Sequence, residues 1–455
     1  MEARKFYDIH FHEMDLGHAN ITAFLNRFLN EKNGLLNTKN VAGIIRKKLP
    51  RWSLVFIPLL LPILPFISYS FVSNKIIAIL KKHIMTKKVR NLLSFMESSI
   101  IYDFLVVDYF LKNREPRIVT EDNEMFIGGV KYDKIVLCPL IIDFGYMNLN
   151  NKEIFYNIPP QKPITRQIKD LFEAIETYYC HDLQIKNHNG NIKFEVKKIE
   201  RNEKKKLFEI YPFMGLNTQH YDIGEVKQML NKYFCDFSKD DSREERHNKL
   251  RKKMGHFKGN LDDEEDCKNI FAGIKLYPAL GFEPWPEDSE QQEKVDYLYD
   301  FCISKRIPII THCSTGGFVA DSDCVKFSDP SGQWEKVIQK KHGLKINFAH
   351  FGSDSEEWTA KIIEYMYRED SEVYADFSCN TSHDECYKKM KAMIEKSEDP
   401  ELLTKRILFG SDFMINLLWL NSYNEYLKEY SETHHINEVT RDLFANINSE
   451  RFLFG

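Results

Sequence analysis

Eight short runs of apolar residues recur along the chain, and polar or turn-forming residues bound each of them. Most runs are nearly continuous, which is typical of strands that are buried on both faces of a parallel sheet. The predicted strands cover residues 6–11, 134–142, 207–216, 271–277, 307–311, 345–349, 372–377 and 406–410.

Helical patterns separate most of these runs, at residues 289–305, 333–342, 355–368, 384–396 and 416–430. Eight strands that alternate with helices predict an α/β protein, a (β/α)₈ TIM barrel. A doubly wound open sheet is the second choice, but the G-x-G-x-x-G turn that often marks such sheets does not follow the first strand.

The spacing of the predicted strands is uneven, because the first and second lie more than a hundred residues apart. A barrel needs about 250 residues and reaches more than 400 with insertions. We therefore predict one barrel over residues 1–455, with a large basic and apolar helical subdomain inserted after the first strand at residues 32–112. The polar tract 186–206 is expected to form either a small hairpin near residues 192–196 or a solvated loop.

Ligand-type side chains stand at the ends of four predicted strands. His10 and His12 are two residues apart on the first strand, so both point to the same face. His312, His350 and Asp412 end the fifth, sixth and eighth strands. The carboxyl ends of barrel strands converge on one mouth, so these five residues are expected to meet there. Each has an alternative role as a hydrogen-bonded strand-end residue.

Several short motifs lie at the same strand ends. They are DIHFH at 8–12, GIKLYP at 273–278, THC at 311–313, AHF at 349–351, GSD at 410–412 and ANINSER at 445–451. In this order they resemble the amidohydrolase superfamily, in particular its amidohydrolase-related branch of metal-dependent hydrolases and decarboxylases. Residues 30–112 have no counterpart in that resemblance.

The resemblance implies a role for each of the five strand-end residues. His10, His12 and His312 would be metal ligands, and Asp412 would be a ligand or the general base. His350 would be a second-site ligand or a residue that polarises the substrate. Neutral imidazoles and a carboxylate suit Zn²⁺, our first choice, although Mn²⁺, Fe²⁺ and Co²⁺ accept the same ligands.

Lys275 lies in the fourth predicted strand. Relatives with two metal ions carry a carboxylated lysine on that strand, so Lys275 would be a metal ligand only if it were carboxylated. Two other roles stay open, a lysine paired with a carboxylate and a cation that binds an acidic substrate. One metal ion is our base expectation, and two would require the carboxylated form.

Loops at the mouth of a barrel carry most of its substrate contacts. Tyr277 and Trp285 follow the fourth predicted strand, and Asp143 follows the second. We predict that these three side chains contact the substrate, with ordinary loop packing as the alternative for each.

Composition narrows the classes of protein that need to be considered. Hydrophobic residues make up 43% and charged residues 29% of the chain, and the formal net charge is −4. This balance indicates a folded protein and excludes a globally basic nucleic-acid binder. Nine cysteines without a C-x-x-C pair favour a reduced, cytoplasmic location over a disulfide framework.

Residues 32–96 contain twelve lysines and arginines and no aspartate or glutamate. Within this tract, residues 52–72 carry no charge, which is long enough to span a bilayer. Three prolines interrupt that run, and a single crossing would separate the first two strands of one barrel. We predict that the tract binds an anionic membrane surface on the cytoplasmic side. The alternatives are an apolar lid over the site, or a subdomain that buries its apolar face internally or in a homo-oligomer.

These observations predict a metal-dependent hydrolase that cleaves an amide, ester or lactone bond of a small-molecule substrate. Two alternatives stay open. One is a non-oxidative decarboxylase of a carboxylated small molecule, and the other is a non-catalytic, membrane-associated binding protein on the same barrel.

Overall fold

The computed structural model describes residues 4–19, 87–144, 162–188, 191–254, 267–320, 322–353, 355–379 and 384–455. These residues form a mixed α/β fold with parallel sheet. The strands are β1 (Lys5–Phe11), β2 (Met125–Ile127), β3 (Val130–Tyr132), β4 (Lys134–Pro139), β5 (His181–His188), β6 (Asn191–Lys198), β7 (Phe208–Ile210), β8 (Phe213–Gly215), β9 (Gly273–Leu276), β10 (Ile309–His312), β11 (Ile346–Ala349), β12 (Val373–Asp376) and β13 (Ile407–Leu408).

Helices occupy most of the connections between the parallel strands. The α-helices are α1 (Lys87–Met96), α2 (Asp103–Arg114), α3 (Ile164–Cys180), α4 (Ile223–Phe234), α5 (Arg243–Met254), α6 (Ser289–Lys305), α7 (Gln333–Lys340), α8 (Glu356–Met366), α9 (Asp384–Lys396), α10 (Pro400–Thr404), α11 (Tyr423–Glu432), α12 (Glu438–Asp442) and α13 (Asn448–Phe454). The predicted helices at 289–305 and 384–396 have the observed bounds of α6 and α9.

Parallel pairing arranges the strands in two runs. One has the order β1-β4-β7, and the other has the order β8-β9-β10-β11-β12-β13. Every residue of β9, β10, β11 and β12 is buried. This burial explains why these segments are apolar at nearly every position instead of alternating.

Backbone hydrogen bonds also join the ends of the two runs. The amide of Ile9 donates to the carbonyl of Phe409 at 3.2 Å, and the amide of Asp412 donates to the carbonyl of His10 at 2.7 Å. At the other junction, the amide of Ile141 donates to the carbonyl of Phe213 at 3.1 Å. The first strand therefore lies beside the last, and the segment after β4 lies beside β8.

An aromatic cluster packs where β1 meets the last strand. The rings of Phe6 and Phe409 lie 4.8 Å apart, and those of Phe409 and Tyr430 lie 4.5 Å apart. Such pairs contribute about 0.5–1.5 kcal/mol each beyond the burial of their area. The cluster holds β1, and with it His10 and His12, against the strand that leads to Asp412.

The third predicted strand, at residues 207–216, is wrong as a single element. It is divided into β7, which pairs with β4, and β8, which pairs with β9. The break falls at Pro212, which has no amide hydrogen to donate to a neighbouring strand. The carbonyl of Pro212 still accepts the amide of Ala272 at 2.7 Å, so the chain stays in the sheet while its pairing changes.

Two further predictions differ in their bounds. The predicted helix at 416–430 is replaced by a 3₁₀ turn at Ile415–Leu418 and by α11, which begins after its N-cap Ser422. The Ser422 hydroxyl accepts the amide of Glu425, and this cap fixes where the helix starts. In the polar tract, the hairpin alternative is confirmed and is longer than expected, since β5 pairs with β6 along eight residues each.

The described part of the predicted insertion packs on the sheet. The ring of Phe104 in α2 stacks on Phe11 at 6.3 Å, and the hydroxyl of Tyr178 in α3 donates to Asp108 at 2.5 Å. Residues 20–86, which contain the uncharged run 52–72, lie outside the described residues. None of the helices among the described residues is long and apolar enough to cross a membrane. The separate subdomain at 32–112 stays a prediction.

Candidate metal centre

The five predicted strand-end residues meet at one place. His10 and His12 lie in and just after β1, His312 ends β10, His350 follows β11, and Asp412 follows β13. All five are at least nine-tenths buried. Because every one of these strands is parallel to its neighbours, their carboxyl ends share one edge of the sheet, and the side chains converge there.

Three of the inward-facing atoms form a nearly regular triangle. The Nε2 atoms of His10 and His12 lie 3.3 Å apart. The Oδ1 atom of Asp412 lies 3.5 Å from Nε2 of His10 and 3.3 Å from Nε2 of His12. Ligands about 2.0–2.1 Å from a tetrahedral Zn²⁺ are separated by roughly 3.3–3.4 Å. The triangle therefore has the dimensions of one face of such a coordination shell.

The Nδ1 atoms of His10 and His12 form hydrogen bonds with groups that lie outside the centre. Nδ1 of His12 lies 2.9 Å from the carbonyl of Leu140, which accepts its hydrogen. Nδ1 of His10 lies 3.2 Å from the carboxylate of Asp376. Each imidazole has one N–H and one lone pair when neutral. The outer contacts take the N–H, so both Nε2 atoms present lone pairs to the centre.

His312 and His350 also use one ring nitrogen for an outer hydrogen bond and leave the other facing the centre, but the outer nitrogen is Nε2 in His312 and Nδ1 in His350. Nε2 of His312 donates to the carbonyl of Gly316 at 3.1 Å, and Nδ1 of His350 lies 3.2 Å from the carbonyl of Ser378. The two remaining nitrogens, Nδ1 of His312 and Nε2 of His350, face each other at 3.1 Å. Two lone pairs at that separation repel unless a cation or a proton lies between them.

Burial keeps these imidazoles neutral. Burial, together with neighbouring His10 and Lys275, lowers the pKa of His350 to about 4. Burial also lowers the pKa of His12 and His312 well below the ordinary value of histidine. Neutral imidazoles are the form that binds metal ions.

Asp376, at the end of β12, links the histidines. Its carboxylate accepts hydrogen bonds from Nδ2 of Asn347 at 2.6 Å, the amide of His350 at 3.2 Å and the amide of Ser378 at 3.0 Å, besides its contact with His10. Burial alone would raise the pKa of Asp376, but its interactions with His10, His350 and Ser378 outweigh burial and hold it below the usual range. A carboxylate that orients a ligating imidazole is a common support of metal sites.

Strained backbone brings two of the five residues to the centre. His350 has a φ of 65° and Asp412 a φ of 56°, the left-handed region that non-glycine residues rarely adopt. Such conformations cost about 1–3 kcal/mol each and persist where surrounding contacts hold them. Two hydrogen bonds hold these turns. The amide of His350 donates to the carboxylate of Asp376, and the amide of Asp412 donates to the carbonyl of His10.

Lys275 points into the same region from β9. Its side chain is 1% exposed, and its Nζ atom has no hydrogen-bond partner among the described residues. Burial lowers its pKa to about 8, while the carboxylates of Asp376 and Asp412 act in the opposite direction. Its role as a carboxylated ligand stays a prediction.

The three predicted substrate contacts lie in loops at the same edge. Tyr277 stacks on His312 at 4.2 Å, and its hydroxyl accepts the amide of Phe318, so it supports a histidine. Asp143 is buried and accepts the hydroxyl of Tyr221 at 2.9 Å. Trp285 is partly buried beside Lys340, which lies 4.9 Å from its ring. Substrate contact stays a prediction for all three.

Asp376 and Asn347 support the centre, and the sequence carries a signal for each of them. Asn347 is a polar residue inside the apolar run of β11, and Asp376 ends a strand in the way His312 does.

A buried pair of acids, Glu13 and Asp103, has no signal in the sequence. Burial raises the pKa of Asp103 to about 8, and burial together with Asp103 raises that of Glu13 well above its ordinary value.

A second group of ligand-type residues, Asp15, His18 and Asp170, is already neutralised. Nδ1 of His18 accepts the amide of Asp15 at 3.2 Å, which leaves its Nε2–H for Asp170 at 3.1 Å. Lys162 and Arg166 both pair with Asp170 at 2.7 Å. This group ties the loop after β1 to α3, and its charges are already paired.

The donor set at the strand ends fits a divalent metal ion. Four imidazole nitrogens and one carboxylate oxygen face one another, and each imidazole is oriented by a group outside the centre. His10, His350 and Asp412 have ligand atoms within 4.8 Å of one another. Imidazole and carboxylate are preferred ligands of Zn²⁺ and neighbouring transition metals.

Comparison with known proteins agrees with the motifs at these strand ends. Residues 256–455 match the amidohydrolase family model. Among curated proteins, no sequence matches the chain.

Solved structures give low overall similarity. A protein named as a 2-pyrone-4,6-dicarboxylic acid hydrolase from Pseudomonas putida is 13% identical, with 40% of this chain and 63% of that chain covered and a TM-score of 0.29. This chain therefore spans less than two thirds of that protein. A protein of the same name from Acinetobacter baumannii is 10% identical, with 71% and 84% covered and a TM-score of 0.37. A protein named as a metal-dependent hydrolase from Lactobacillus casei is 12% identical, with 99% and 95% covered and a TM-score of 0.37.

The part of the chain from residue 256 to residue 455, which includes His312, His350 and Asp412, is similar to the amidohydrolase family.

Proposed function

We propose that the chain is a metal-dependent hydrolase that acts on an amide, ester or lactone bond of a small molecule. His10, His12, His312 and Asp412 would hold one divalent ion, and His350 would be a further ligand or would polarise the substrate. One observation carries the proposal. The outer hydrogen bonds of the four imidazoles leave one lone pair on each facing the centre, where Oδ1 of Asp412 lies 3.5 Å and 3.3 Å from His10 and His12, and Nδ1 of His312 lies 3.1 Å from Nε2 of His350.

We also propose that the parallel strands close into a (β/α)₈ barrel, with β7 and β8 together as its third strand. The backbone hydrogen bonds from Ile9 to Phe409 and from Ile141 to Phe213 support closure of the barrel, because they join the edges of the two runs of strands. In a barrel, the carboxyl edge that gathers the five residues would be the mouth.

The metal would supply the Lewis acidity and activate water, since a bound divalent ion lowers the pKa of water to about 7. Asp412 would accept the proton of the attacking water, because its carboxylate lies at the centre and its Oδ1 atom already faces two imidazoles. The four imidazoles would keep their positions through the hydrogen bonds to Asp376, Leu140, Gly316 and Ser378. Asp143, Tyr277 and Trp285 stay proposed substrate contacts.

Zn²⁺ is the ion that we propose, with Mn²⁺, Fe²⁺ and Co²⁺ as alternatives for the same donors. The test is an assay of protein stripped with a chelator and then reloaded with each ion, on a panel of lactones, esters and amides. Hydrolysis that disappears on stripping and returns on reloading would support the proposal. Release of CO₂ from carboxylated members of the panel would favour a decarboxylase instead, and a reaction that persists without metal would reject both.

We further propose that residues 32–96 bind an anionic membrane surface. Their twelve basic residues and the uncharged run 52–72 support this, because basic residues near anionic lipid contribute about 1 kcal/mol each. We expect the chain to sediment with vesicles that contain phosphatidylserine, less so as salt is raised. Equal sedimentation of a variant without residues 32–96 would reject the proposal, and vesicles of neutral lipid are the control.

A further inference from the structure

Lys275 is a buried basic group that the proposed mechanism does not use. It is 1% exposed, and among the described residues no atom accepts a hydrogen bond from its Nζ. A buried donor without a partner is costly, so native proteins nearly always satisfy one. A buried amine that has no acceptor among the described residues therefore points to a ligand that completes it.

The neighbouring strands offer Lys275 no acceptor. In the parallel register, Lys275 lies opposite Gly215 on β8 and Ile310 on β10. Residues opposite each other on parallel strands point to the same side of the sheet, so the two nearest side-chain positions hold a glycine and an aliphatic residue. Tyr277 presents its ring to the amine, with its centroid 5.7 Å from Nζ.

The two nearby carboxylates are engaged elsewhere. The carboxylate of Asp376 accepts hydrogen bonds from His10, Asn347, His350 and Ser378. Asp412 faces His10 and His12. The Tyr277 ring that faces Nζ also stacks on His312 at 4.2 Å, which places the amine beside the proposed metal centre.

The charges at the centre leave room for one anion. With a divalent ion bound, its water not yet ionised and the imidazoles neutral, the ion and Lys275 exceed the charge of Asp376 and Asp412 by one unit. A buried excess charge is unfavourable until a counter-ion neutralises it. A carboxylate on the substrate would supply both the missing charge and the missing hydrogen-bond acceptor.

We propose that Lys275 remains an unmodified amine and binds a carboxylate of the substrate, so that it selects anionic substrates. This inference rests on the proposed function and names its substrate class. It excludes carboxylation of the same lysine, because a carbamate would be an anion and would repel the substrate carboxylate.

The first test is the binding of succinate, as a plain dicarboxylate probe, to the metal-loaded protein by calorimetry. Lys275→Met, of similar length but without charge, is expected to weaken binding by about tenfold or more, the usual effect of losing a charged hydrogen bond. Lys275→Gln is a second uncharged variant, in case the methionine variant folds poorly. Lys294→Met is the control, since Lys294 is also buried but pairs with Glu290 at 3.2 Å in α6. Equal affinity for succinate in the wild type and both Lys275 variants would overturn the proposal.

The second test is ¹³C NMR of protein equilibrated with ¹³C-bicarbonate. A carbamate signal that is absent from Lys275→Met would also overturn the proposal. The metal content separates this inference from the proposed function. Protein that retains no metal but still binds succinate through Lys275 would reject the hydrolase and keep the anion site. Protein that retains metal but binds succinate equally in all variants would keep the proposed hydrolase and reject the anion site at Lys275.

Discussion

Replacement of Asp412 with asparagine is expected to lower kcat by about 10²–10⁴-fold at saturating metal, the range found when a general base is removed. Asparagine has the same shape but cannot accept the proton of the attacking water. The position of Asp412 makes the substitution specific, because its Oδ1 atom lies 3.3 Å and 3.5 Å from the Nε2 atoms of His12 and His10. The measurement is kcat on the best substrate of the panel, with metal content determined on the same sample.

Asp170→Asn is the matched control for this prediction. Asp170 is also a buried aspartate beside a histidine, but it pairs with Lys162 and Arg166. The control is expected to lose stability and to keep its kcat below the unfolding temperature. Full activity of Asp412→Asn at saturating metal would contradict the role of Asp412 as the base.

Replacement of Asp376 with asparagine is expected to weaken metal binding by about 10–100-fold, the usual effect of losing an outer hydrogen-bond partner of a ligand. Asp376 lies 3.2 Å from Nδ1 of His10 and also accepts the amide of His350. An asparagine with one acceptor oxygen and no charge cannot hold both in the same way. The measurement is the affinity for Zn²⁺ in competition with a chelator.

The same variant distinguishes a positioning role from a catalytic one. If Asp376 acts only through His10, kcat at saturating metal is expected to change much less than the metal affinity. An unchanged affinity together with a large loss of kcat would reject the positioning role. Asp170→Asn again serves as the control, with unchanged metal affinity.

Much of the sheet could be predicted, because parallel strands that are buried on both faces leave an unambiguous apolar pattern. The runs at 307–311 and 345–349 match β10 and β11 to within two residues at either end. The break between β7 and β8 was missed because Pro212 lies inside an otherwise apolar run, and apolarity alone does not report which neighbour a strand pairs with. The start of α11 could not be predicted from apolar periodicity either, because the N-cap Ser422 fixes where this helix begins.

The residues of the centre could be predicted, but not their supports. His10 and His12 are separated by the period of a strand, and the other three residues end predicted strands. The groups that orient the imidazoles are mostly backbone carbonyls, those of Leu140, Gly316 and Ser378, which leave no mark in a sequence. The partner of His10, Asp376, lies 366 residues away along the chain. Only folding reveals which nitrogen of each histidine is free.

The central claim is that groups from distant strands share one metal ion, and the metal content of purified protein tests it most directly. After loading with Zn²⁺ and removal of the excess, the wild type is expected to retain about one ion per chain, because the residues form a single donor set. His10→Ala, which removes a corner of the triangle at 3.3 Å and 3.5 Å, is expected to retain little or none. Equal metal content in the two proteins, or none in the wild type, would contradict the account.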